Sequence, residues 1–115
     1  ELNDVVYIST DYGISVYDLE RLEFGDTYYI GNGGTQVNIS QTTILDDVIY
    51  ASSLSTNGIK NADVNNENLI DFAEWNQFRT GTSYSSIQSV ENKLYTSQNK
   101  RLYDATPGNF FQVNL

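Results

Sequence analysis

Asp47–Phe78, DVIYASSLSTNGIKNADVNNENLIDFAEWNQF, is the fullest copy of a unit that occurs nearly three times in the chain. It reads as strand, turn, strand, loop, strand. Val48–Ser53 and Gly58–Val64 are rich in the β-branched and aromatic residues that suit strands. Asn57-Gly58 between them carries the turn chemistry of a hairpin.

The other copies align on this one. Asp4-Val5-Val6-Tyr7-Ile8-Ser9 and Asn92-Lys93-Leu94-Tyr95-Thr96-Ser97 match Asp47-Val48-Ile49-Tyr50-Ala51-Ser52. Each has an apolar residue, then Tyr, any residue, then Ser. The tyrosines stand at 7, 50 and 95, so the unit repeats every 43 to 45 residues, the spacing of four-stranded propeller blades. A Gly-Ile step follows in register at Gly13-Ile14 and Gly58-Ile59, whereas the third copy has Arg101-Leu102. The expectation is an all-β chain of about three antiparallel blades, at 1–34, 35–80 and 81–115, forming part of a larger propeller. Three unrelated hairpins in a sandwich are the alternative.

Composition narrows the function. The 115 residues suffice for one domain with a modest core. Six basic against fifteen acidic residues give a formal charge of −9, which disfavours nucleic acid and anionic membrane. Only Lys100-Arg101 place two bases side by side. The acidity serves solubility and leaves affinity for cations or basic partners open. With no Cys and no His, disulfides, thiol chemistry, Ser-His-Asp triads and the common zinc sites are excluded. No apolar run approaches a membrane span, and no nucleophile sits beside a base. The first residue, Glu1, is not Met, and the expectation is a processed product or an excised fragment.

Along the rest of the chain, Leu19–Phe24 allows one helical turn and Asp26–Ile30 an outer strand. Gly31-Asn32-Gly33-Gly34 lacks the Lys and the following helix of a phosphate loop, and reads as a connection between blades. Gln36–Gln41 and Thr42–Leu45 open the second unit, and Phe72–Phe78 closes it as a strand. Tyr84–Val90, Lys93–Ser97, Arg101–Ala105 and Phe110–Val113 supply the third. The core is expected at Val6, Ile8, Ile14, Val16, Ile49, Ala51, Ile59 and Leu94. Faces bearing Val5, Tyr7, Tyr95 and Tyr103 are expected to meet further blades, or other copies of the chain.

One segment carries a metal pattern. DVNNENLIDFAE, residues 63–74, fits a calcium-binding EF-hand loop. Asp63, Asn65 and Glu67 fill the alternating ligand positions, Leu69 offers its carbonyl, Asp71 is the ninth residue and Glu74 the bidentate one. Against it, Glu67 is long for its place, Asn68 replaces the usual Gly, and Leu54–Ala62 has no helical periodicity to supply the entering helix. The main expectation is no cofactor, with calcium as an alternative.

VVYISTDYGISVYD and VIYASS followed by NGIKNADVNN resemble blades of the propellers that precede bacterial two-component regulators. DLERLEFGDTYYIG and NADVNNENLIDFAEWNQF resemble, more specifically, the amino-terminal propeller of PorZ-like proteins of the type IX secretion apparatus in Bacteroidetes-type bacteria. The resemblance covers nearly the whole chain, and the third copy departs from it at Arg101-Leu102. It implies a non-enzymatic scaffold or binding segment of a secreted or cell-envelope protein, with protein partners and no membrane insertion. A sensory propeller of a membrane-bound regulator and a calcium-binding domain are the alternatives.

Overall fold

The computed structural model describes residues 4–114. Eleven strands form three antiparallel sheets. The first sheet orders β1 (Val5–Ser9), β2 (Ile14–Asp18) and β3 (Glu23–Tyr28). The second orders β4 (Ile39–Leu45), β5 (Val48–Ser53), β6 (Ile59–Asp63) and β7 (Asn76–Arg79). The third orders β8 (Ser86–Val90), β9 (Lys93–Gln98), β10 (Arg101–Asp104) and β11 (Phe111–Gln112). Each sheet is a meander in chain order. The three strands of the first correspond to the last three of the others, because Tyr7, Tyr50 and Tyr95 lie on β1, β5 and β9.

Tight turns set the register. Asp46-Asp47, Glu91-Asn92 and Asn99-Lys100 each have two successive positive φ angles, between 48° and 69°. That is the geometry of two-residue hairpins whose twist matches their strands. The repeated glycines have a steric cause. A Cβ on Gly13 would stand 2.1 Å from the Tyr28 carbonyl oxygen, and one on Gly58 would stand 1.9 Å from that of Arg79. In both sheets the outer strand crosses directly over the glycine. In the third sheet β11 pairs only with Tyr103 and Asp104, so nothing demands a glycine beside Arg101.

The core lies at the two junctions between sheets. Ile14, Ile39, Ile49, Ala51 and Trp75 fill the first junction. Tyr50, Ile59, Tyr84, Ile87 and Leu94 fill the second. The middle sheet is covered on both faces, which is why β5 is buried from Ile49 to Ser53.

Six of the eight expected core residues are buried, but Val6 and Ile8 are 41% and 36% exposed. Strand alternation explains this. Tyr7 pairs with Val16 and points at the second sheet, so Val6 and Ile8 point the other way. No described sheet covers that side. For the same reason Val5 and Tyr7 are inward residues, and Val6, Ile8 and Phe24 form the open face. At the other end Tyr95 does face outward. Tyr103 faces back toward the second sheet, since its cross-strand partner Thr96 is fully buried. Tyr103 stacks on Phe110 at 4.9 Å, and the Arg79 guanidinium lies 4.1 Å from the Phe110 ring.

Local boundaries also differ from expectation. Leu19–Leu22 is a turn with Leu22 at φ 56°, and the outer strand starts at Glu23 rather than Asp26. The second unit begins at Ile39 rather than Gln36. Phe72–Glu74 is a 3-10 turn, not strand. The Asp71 carboxylate accepts the Ala73 N–H at 2.9 Å, and the buried Trp75 donates its indole N–H to the Leu69 carbonyl at 2.8 Å. Anchoring the indole there delays the strand until Asn76.

Candidate interaction surfaces

The second and third sheets are joined by a polar ladder between their innermost strands. The Asp46-Asp47 turn makes Leu45 and Val48 its closing pair, and Glu91-Asn92 does the same for Val90 and Lys93. Hydrogen-bonded pairs recur at every second residue, so the N–H groups of Ile87 and Ser89 point off the edge of β8. Side chains of β4 receive them. Gln41 Oε1 accepts from Ile87 N at 2.9 Å, and Thr43 Oγ1 accepts from Ser89 N at 3.0 Å. Ser89 Oγ donates to the Ile44 carbonyl at 2.9 Å. Ser40 Oγ lies 2.7 Å from Ser52 Oγ and donates to the Tyr84 carbonyl at 2.8 Å. Backbone groups that would be bare at an edge are thereby satisfied.

The third sheet carries the same arrangement one repeat later. Ser85 and Ser97 hydroxyls lie 2.7 Å apart, as Ser40 and Ser52 do. The registers Gln88 with Tyr95 and Ser86 with Ser97 match Thr43 with Tyr50 and Gln41 with Ser52. Ser86 and Gln88 thus stand where Gln41 and Thr43 stand, on a face no described sheet covers. Val90 and Phe111, 50% and 53% exposed, flank them. Sequence reading missed this ladder. The signal available was Ser40 and Ser85, and Thr43 and Gln88, each pair 45 residues apart.

The calcium-loop residues are dispersed among local turns. Asp63 ends β6 and its carboxylate accepts the Asn65 N–H at 2.9 Å. Glu74 Oε1 accepts from the Asn66 amide at 2.7 Å. Leu69 is buried with its carbonyl on the Trp75 indole, and Asp71 caps the 3-10 turn. Glu67 lines the cleft between the first two sheets. Among the described residues, no group of three or more His, Cys, Asp or Glu side chains is arranged to hold a metal ion.

Two buried charged groups brace the connections. Lys60 is 5% exposed; its ammonium donates to the Ile30 carbonyl at 2.7 Å and to the Asn32 side chain at 3.1 Å. The glycine-containing connection is thus pinned to the second sheet, and burial holds the Lys60 pKa below its usual range. Asp104 has its pKa lowered, first by the Thr106 hydroxyl and then by the Thr106 N–H. Thr106 Oγ1 in turn accepts from Leu94 N at 2.9 Å, tying the last loop to β9.

Antiparallel sheets set side by side, with an apolar core at each junction and innermost strands bonded across the second, define a segment of a β-propeller. The profile of the TSS9, PorZ, N-terminal beta-propeller domain family matches residues 2–76, and the chain belongs to that family. Among solved structures it is similar to PorZ of Porphyromonas gingivalis, an essential bacterial surface component of the type IX secretion system. That match has a TM-score of 0.73 at 19% identity over 98% of this chain. It is also similar to the extracellular domain of a protein described as a hybrid two-component system from B. thetaiotaomicron, with TM-score 0.70 at 17% identity over 99% of the chain. The chain spans 15% of the length of each. No curated protein matches it. No helix among the described residues is long and apolar enough to cross a membrane.

Proposed function

We propose that the chain is a non-enzymatic scaffold and binding segment of a secreted or cell-envelope bacterial protein, acting beside type IX secretion. The observation that carries this reading is the repetition on the third sheet of the hydroxyl and amide groups that hold the second sheet to the third. Ser85, Ser86 and Gln88 present two hydroxyls and an amide at the places of Ser40, Gln41 and Thr43, with the Ser85 hydroxyl now donating to the Ser97 carbonyl at 3.2 Å within its own sheet. Such a surface is built for protein, in the parent chain or in a partner. Family membership and likeness to a surface component of type IX secretion support the location and the pathway.

Light scattering over a range of concentrations tests this on the chain itself. Reversible association is expected, weakened by Phe24→Lys or Val90→Lys on the open faces. A monomer at every concentration, unchanged by either substitution, would count against exposed docking faces.

The second reading is an extracytoplasmic sensory propeller of a two-component regulator. The likeness to such an extracellular domain favours it. A membrane span and a kinase encoded downstream in the same gene would decide for it.

A further inference from the structure

Between the first two sheets, against the edge of the first junction's core, lies a cleft of about 400 Å³. Its volume falls within the ~300–1,000 Å³ range of ligand pockets. Val5, Val16, Val64 and Leu69 make an apolar floor, and Tyr7 and Tyr28 add ring surface. Asn65, Asn66 and Glu67 form the rim.

Charge selects the occupant. Glu67 is exposed and is the one charged residue in the lining. Burial, then Tyr7, then Asp26 raise the Tyr28 pKa, and Asp26 adds a negative charge on this side of the cleft. The described residues contain a single ion pair, Arg21 with Asp18, so Glu67 has no cation of its own. The whole chain carries −9. Anionic ligands are repelled. A planar cation satisfies both halves of the cleft, because a guanidinium stacks on aromatic faces and donates in pairs to a carboxylate. The Asn66 side chain is already spent on Glu74 and the Asn68 N–H, which leaves Glu67 as the charged acceptor.

We propose that this cleft receives an arginine side chain of a protein partner, its guanidinium against the Tyr28 ring and paired with the Glu67 carboxylate. This rests on reading the chain as a protein-binding segment but uses a surface separate from the open sheet faces. Its failure would leave the association experiment untouched.

The test titrates N-acetyl-arginine amide into isotope-labelled protein and follows the backbone amides by NMR. N-acetyl-citrulline amide, of the same shape without the charge, is the control. Saturable shifts at residues 5–7 and 64–69 are expected with the arginine compound and not with citrulline. Glu67→Gln should weaken binding about tenfold, the scale of one charge-assisted hydrogen bond. Tyr28→Leu should also weaken it, and Glu23→Gln on β3 should leave it unchanged. Glu67 is exposed, so its variant keeps the fold, and its amide spectrum verifies that. Equal shifts with citrulline, shifts spread without saturation over the acidic surface, or equal losses in the Glu23 and Glu67 variants would each overturn the proposal.

Discussion

The Gln41 side chain stands in for a neighbouring strand: its Oε1 accepts the Ile87 N–H at 2.9 Å across the junction of two sheets. Gln41→Ala should leave that N–H without its acceptor and cost about 1–3 kcal/mol, the penalty of an unsatisfied backbone donor. Thr43→Val, which keeps shape and removes the acceptor for Ser89, should cost a similar amount. Urea unfolding measures both. A change near zero in both would mean that the ladder adds nothing to the junction.

Lys60 gives stability a defined pH dependence. Its pKa is lowered in the folded chain, so between that value and the usual 10.5 the unfolded chain binds more protons. Stability therefore rises with pH through that window. Tyr28, Tyr50 and Tyr84 act in the opposite sense. Burial is the largest cause raising each of their pKa values above 10.0, so stability is lost as pH climbs beyond 10. Unfolding from pH 8 to 11 should show a rise and then a fall. In Lys60→Met the rise should vanish while the fall remains.

Gly58 and Gly33 both have positive φ, 66° and 73°. Gly33→Ala meets no atom within 4 Å and should cost only the backbone penalty of about 1–2 kcal/mol. Gly58→Ala places its Cβ 1.9 Å from a carbonyl oxygen and must push β7 aside. Its loss should exceed that of Gly33→Ala by several-fold in thermal or urea unfolding.

Ile49 is fully buried at the first junction, whereas Val6, its counterpart one repeat earlier, is 41% exposed. Ile49→Asp should cost several kcal/mol, since a buried charge without a partner is strongly disfavoured. Val6→Asp should change stability by less than about 1 kcal/mol, as for most surface substitutions. Equal effects would refute the assignment of faces.

That pair also shows how far the sequence was legible. Repeat spacing, Tyr-x-Ser and Gly-Ile located most strands, and the hairpin turns at Asp46-Asp47 and Glu91-Asn92 fall in the two-residue gaps between the expected strands. The face of β1 could not be read, because Val5, Val6, Tyr7 and Ile8 are apolar or aromatic without a break. Burial there depends on which sheets are adjacent, not on alternation within the strand. Phe72–Phe78 misled for another reason: Trp75 is held by the Leu69 carbonyl, a contact with no local signature. The inter-sheet ladder was hidden because Ser, Gln and Thr are ordinary surface residues until a neighbouring backbone edge gives them a partner.

The middle sheet alone is packed on both sides by described sheets. Protection from hydrogen exchange should therefore fall away along the row in both directions. Amides of β5 should report the deepest opening, while those of β3 and β11 escape through local fraying. In such a row each sheet borrows order from its neighbours, so cooperativity is a property of position. Covering either open face would thus slow exchange even at amides that the incoming surface never touches.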